Sequence, residues 1–144
     1  GVSYRQLDAD GRASVIPATT PTQFDLQAAH RSIDRLLSYQ PQAMFLTHYS
    51  RVTDVPRLGD DLHRLLDAFV AVAQAARGEN EARCAEIRAG LEEIIREEAE
   101  RQVWPVPVDE ALRVLHEDLE LNAQGLAFWV DEQQRQAQEA AVAH

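Results

Sequence analysis

The residues with the clearest capacity for chemistry stand together in Thr47-His48-Tyr49-Ser50, a polar tetrad that follows the apolar run Ala43-Met44-Phe45-Leu46. Four apolar residues without alternation read as a strand buried on both faces. A histidine at the end of such a strand is held rigidly while its ring reaches a cleft, which suits a metal ligand or a general base. The competing reading is a histidine that only hydrogen-bonds a loop carbonyl. His63 and Asp67 lie four residues apart, as do His116 and Glu120, and each pair reads as a solvated pair on a helix face. His30 falls on the exposed side of its helix with no specific task, and His144 is terminal. Cys84 stands on an apolar stripe, where core packing is the expected role rather than nucleophilic attack. Asn122 and Gln124 interrupt an otherwise apolar helix and need partners if they face inward; one reading points both at the cleft below His48. Gly125 beside them weakens a helix by about 1 kcal/mol relative to Ala, which implies close approach of another element.

The elements that must position these residues follow from periodicity. Val2–Leu7 and Ala13–Ile16 are β-compatible runs separated by Asp8-Ala9-Asp10-Gly11, so the spacing predicts a hairpin. The prolines in Pro17-Ala18-Thr19-Thr20-Pro21-Thr22 make that stretch a loop. Asp25 is a good N-cap for an amphipathic helix to Gln40, stopped by Pro41, with Leu26, Ala29, Ile33, Leu36 and Leu37 on one face. Strand, helix and strand in this order predict a right-handed βαβ crossover, with ligands gathering beyond the carboxyl ends of the strands. Three long helical patterns then run over about 56–77, 79–102 and from 108 into a polar Glu132–Gln138 stretch. In the second of them, Glu92, Glu93, Glu97 and Glu98 interleave with Arg96 and Arg101, as on a solvated face. Trp104 and Trp129 read as core or interface anchors.

Composition bounds the partners. The 144 residues suffice for a core without metal or disulfide staples, and 45% hydrophobic with 26% charged residues is a folded, not a disordered, balance. Fourteen basic residues, all Arg, against 24 acidic ones give a net charge of −10, which repels phosphate backbones and anionic lipid. Nucleic acid and membrane are therefore not expected as partners. A single cysteine, with no signal pattern and no spanning apolar run, points to the cytoplasm. A chain that opens on Gly1 and has Met44 as its one methionine reads as processed or as a piece of something longer.

Three stretches carry a resemblance. Pro21-Thr22-Gln23-Phe24-Asp25, the helix through Ser32-Ile33-Asp34-Arg35-Leu36-Leu37, and Met44 to Val52 with its Thr47-His48 pair resemble the C-terminal part of a metallo-β-lactamase-fold hydrolase. Gly1-Val2-Ser3-Tyr4-Arg5 resembles the strand after that family's Gly-Asp motif, and Leu121 to Leu126 resembles the terminal helix of a bacterial subgroup. The resemblance implies an αββα sandwich whose C-terminal α/β portion is residues 1–52, with 53–144 a helical extension packed on it, α+β and mostly α overall. It implies His48 as the last ligand of a binuclear zinc centre, Thr47 orienting the loop, and Tyr49 or Ser50 lining the substrate side. The family's His-x-His-x-Asp-His cluster has no counterpart among His30, His48, His63, His116 and His144. The chain then corresponds to the back half of an enzyme, inactive alone and without tightly bound zinc, its first partner being the missing N-terminal half. The complete enzyme would use a metal-activated water to hydrolyse a small ester, thioester, lactone or lactam. A cut through the sandwich exposes a strand edge and an apolar face, so the isolated chain is expected to self-associate. The alternative from another class is a helical dimerisation module without catalysis, motivated by long helices and by Trp104, Phe128 and Trp129 as anchors.

Overall fold

The computed structural model describes residues 2–7, 11–46 and 51–142, with side chains from residue 11 onward. Strands β1 (Val2–Leu7) and β2 (Ala13–Pro17) pair antiparallel, Arg5 opposite Val15 and Leu7 opposite Ala13, as the hairpin reading requires. Gly11 takes φ +78°, the left-handed region that glycine enters without a Cβ clash. Helix α1 (Leu26–Ser38) starts where expected: the Asp25 carboxylate accepts from the Ala28 N–H at 2.8 Å, a cap worth about 1 kcal/mol. Two short strands follow, β3 (Met44–Phe45) and β4 (Arg51–Val52), then helices α2 (Val55–Ala75), α3 (Asn80–Arg101), α4 (Val108–Val114) and α5 (His116–Val142).

Three expectations about these elements are corrected. There is no βαβ crossover among the described residues: β3 pairs antiparallel with β4, in a two-stranded sheet separate from β1 and β2. The segment nearest in sequence, Arg51–Val52, supplies the partner, and a short separation along the chain costs less closure entropy than docking on the distant hairpin. Nor is β3 buried on both faces, because Phe45 is 79% exposed at the margin of its sheet. The strand covered on both sides is β2, whose alternation sends Ile16 to one apolar cluster and Val15 to another. Finally, the third helix is two. Leu115, at ψ 0° and with its own side chain fully buried, separates α4 from α5. Helix α5 also continues through the polar stretch to Val142, where packing is sparse and Glu132 holds Arg135 and Gln136 one turn on.

The larger core gathers Ile16 with Phe69 and Ala73 of α2, Ile87, Leu91 and Ile95 of α3, and Leu119, Ala123 and Leu126 of α5. Trp104 joins it and donates its indole N–H to the Ser14 hydroxyl at 3.0 Å, the polar tip finding a partner inside the protein. The smaller cluster is Val15, Val52 and Leu58, with Met44, Leu46 and Leu62 against it. Both clusters combine residues from before and after Val52, so apolar packing crosses the point where secondary structure changes.

Helix α5 meets the 17–20 segment at backbone contact. A β-carbon built on Gly125 would fall on the Thr19 carbonyl oxygen, which answers why glycine stands within this helix. Gly125→Val is expected to lower stability by about 3 kcal/mol through overpacking against a backbone that cannot yield. Urea unfolding followed by circular dichroism checks it; an unchanged midpoint would mean that this contact does not form.

Candidate functional site

Thr47, His48, Tyr49 and Ser50 lie outside the described residues. Beside β3 and β4 is a small pocket lined by Val15, Leu37, Met44, Leu46, Val52 and Leu62, entirely apolar and suited to packing rather than to acid–base chemistry. A broader open cleft of about 640 Å³ lies between the 18–25 segment and helices α1 and α2. Two of its polar groups are committed to α1 itself: Asp25 caps the helix, and the Ser32 hydroxyl donates to the Ala28 carbonyl at 2.7 Å.

Asn122 and Gln124 separate. Asn122 is buried, its Oδ1 accepting from the Thr19 N–H at 2.7 Å and its Nδ2 donating to the Pro17 carbonyl at 3.1 Å. The Thr19 hydroxyl completes the knot at the Asn122 carbonyl, 3.1 Å away. Both ends of this amide are thus used in fastening the loop after β2 to α5. Gln124 points to solvent and donates to Glu120 at 3.1 Å. Cys84 is half-buried against the core, and burial, followed by the nearby charges of Glu120 and Asp131, pushes its thiol up, away from the reactive thiolate. His116 contacts not Glu120 but Arg88, at 3.3 Å.

The chemistry-bearing cluster that the fold assembles joins α1 to α2. His30 Nε2 is 2.8 Å from Asp67, His63 Nε2 is 3.0 Å from Asp34, and the two Nδ1 atoms face each other at 2.5 Å. His30 is therefore not idle, and His63 bonds across to α1 instead of to Asp67 on its own helix. The crossed pairing means that α1 and α2 run antiparallel here, with a local twofold relation between two His-x-x-x-Asp motifs. The ring centroids are 4.8 Å apart and the planes differ by 16°. With the facing nitrogens at 2.5 Å, both lie on the line of centres. The rings therefore meet edge to edge, nitrogen toward nitrogen, and do not overlap face to face.

Hydrogen counting constrains this arrangement. Three contacts, two to carboxylates and one between rings, require three hydrogens, whereas two neutral imidazoles carry two. With both Nε2–H groups donating to Asp34 and Asp67, the central gap holds two lone pairs and calls for a cation. The sequence signal was present in His30-Arg31-Ser32-Ile33-Asp34 and His63-Arg64-Leu65-Leu66-Asp67, the same spacing twice. Only the packing of α1 on α2 turns two ordinary spacings into one cluster.

A second polar network lies under it. Glu98, expected on a solvated face, is 1% exposed, with Oε1 accepting from Arg64 and from Gln102, each at 3.0 Å. Its Oε2 is 2.8 Å from Arg64 Nη1, ion-paired but poorly aligned for a hydrogen bond. Asp61 takes Arg57, Arg64 and Gln102 at 2.9 to 3.0 Å, and Arg57 reaches back to the Ala13 carbonyl at 2.8 Å. The bond to Glu98, more than the opposing cost of burial, raises Arg64 above its usual range. The network pins α2 to α3 and to the start of β2. Its internal pairing leaves no acid or base aimed at either cleft.

Among the described residues, no group of three or more His, Cys, Asp or Glu side chains is disposed to hold a metal ion, and no helix is long and apolar enough to cross a membrane. Comparison with family models, with curated proteins and with solved structures finds no match to the chain. Arg64→Ala is expected to cost about 2 kcal/mol, below the loss for a fully buried pair because Arg64 is one-third exposed to water. The double change Arg64→Met with Glu98→Leu should recover most of that loss, since no buried charge is left alone. Urea midpoints of the three proteins measure both effects.

Proposed function

We propose that this chain is the C-terminal portion of a metallo-β-lactamase-like hydrolase, its helices forming a layer over the α/β part and His48 giving one ligand to a zinc centre. The observation that supports this reading is an asymmetry of burial. Helices α2, α3 and α5 supply most of a dense core, whereas the amphipathic α1 has no fully buried residue. Tyr39 and Phe45, at 70% and 79% exposure, add to the uncovered apolar surface of the same third of the chain. Two-stranded sheets with open margins and a helix covered on one side are what a sandwich half presents when its other half is supplied by additional chain.

In this reading His48 is the one ligand that the chain gives to the zinc pair, so the hydrolytic step belongs to the complete protein. There the metal supplies an activated water, and an ester, thioester, lactone or lactam is the substrate class. In a longer protein carrying His-x-His-x-Asp-His upstream, His48→Ala should weaken zinc binding by at least about 100-fold, since even outer-shell changes cost about 10–100-fold. Calorimetry on both proteins reads the difference, and equal binding would remove His48 from the centre.

The second reading, a helical interaction module, rests on Leu121 and Phe128, seven residues apart on α5 and both nearly half exposed. Sedimentation separates the two. Under the first reading, the isolated chain associates and binds a hydrophobic dye, and Phe45→Glu reduces both. Association abolished by Phe128→Glu and untouched by Phe45→Glu favours the module instead.

A further inference from the structure

We propose that His30 and His63 form a bridging site for one borderline divalent transition-metal ion of the zinc, nickel or copper class, bound through both Nδ1 atoms between α1 and α2. This inference is independent of His48 and of the hydrolase reading. The directions of the two rings carry it. Each Nε2 faces a carboxylate from the opposite helix, 2.8 Å at Asp67 and 3.0 Å at Asp34, so a neutral ring that donates there carries its lone pair on Nδ1. Imidazoles that bind metals through one nitrogen characteristically donate the other N–H to a carboxylate, which fixes the tautomer and strengthens the ligand. Here that arrangement occurs twice, and the two free nitrogens converge.

The charges agree with the geometry. Asp34 and Asp67 give the cluster two negative charges, and the adjoining Arg64 is turned away into Asp61 and Glu98. Both histidines are partly open, at 20% and 24% side-chain exposure, so water can complete the coordination shell and the ion can exchange. A metal–nitrogen distance of about 2.0–2.1 Å in tetrahedral geometry needs the nitrogens about 3.3 Å apart. The gap must therefore widen from 2.5 Å, a change that rotation of two partly exposed side chains can supply. A ring nitrogen must be unprotonated to hold a metal ion, so a proton and a metal ion compete for this gap. The bound ion would also fasten α1, which has no fully buried residue, to the dense helical core.

Calorimetric titration of the full chain with Zn²⁺, Ni²⁺ and Cu²⁺ tests the site. One ion per chain is expected, with Cu²⁺ the tightest. His30→Asn with His63→Asn should weaken binding at least 10-fold, and His116→Asn should leave it unchanged. Asp34→Asn with Asp67→Asn keeps both ligands and should weaken binding about 10-fold or more, a readout that survives if the histidine variant misfolds. Binding that persists in the His30/His63 variant, or that depends only on His48, overturns the proposal. Absence of binding alongside a low-field nuclear magnetic resonance signal from a hydrogen shared by the two rings also overturns it, assigning the gap to a proton alone.

Discussion

The backbone around Thr19 rests on α5 at Gly125, and the rest of the architecture depends on that contact. Without a side chain at Gly125, the loop leaving β2 can lie against the helix, and Asn122 one turn earlier satisfies the Thr19 N–H and the Pro17 carbonyl that water can no longer reach. Each such bond is worth about 1 kcal/mol net, but leaving the groups unpaired would cost about 1–3 kcal/mol apiece. The contact therefore acts mainly as a constraint of position. It holds β2 at the height where Ile16 enters the helical core and Trp104 finds Ser14.

On the other side of β2 the same strand is fixed electrostatically. Arg57 reaches the Ala13 carbonyl while it holds Asp54 and Asp61, and Asp61 in turn shares Arg64 and Gln102 with Glu98. Burying a carboxylate at 1% exposure is costly unless every neighbour is in register, so this network specifies one alignment of α2 on α3 more than it adds stability. Apolar packing alone would tolerate a shift by a turn; a paired buried charge would not.

Against this fixed body, α1 is held lightly. Its apolar side faces the small pocket and α2, Leu37 lies close to Gly59, and none of its residues is fully buried. The His30–His63 pair with its two aspartates is the polar tie across that contact, and it lies on the boundary between the dense helical core and the sparsely covered α/β third. A cation between the rings joins the two regions, whereas two bare lone pairs repel. That location gives a small ionic event leverage on the element with the least packing to hold it.

Local chemistry determined much of this protein before any packing was considered. Asp25 as a cap, Gly11 in its turn, the breaks at Pro41 and at Trp104-Pro105, and the long helices all follow from propensities and spacings within one element, because their causes lie within a few residues of each other. Asn122 and Gly125 were also legible as a demand: a polar residue and a missing side chain in an apolar helix require a partner, although the sequence did not say that the partner is Thr19. The identity of partners is what tertiary structure decided. Periodicity cannot distinguish a buried Glu98 facing Arg64 from a solvated one, nor foretell that β3 pairs with β4, nor that Leu115 divides a helix. His30 and His63 stand 33 residues apart, and nothing local relates them. Only the antiparallel seating of α1 on α2 sets nitrogen against nitrogen, because side-chain direction between elements is fixed by which faces bury together and not by either sequence alone.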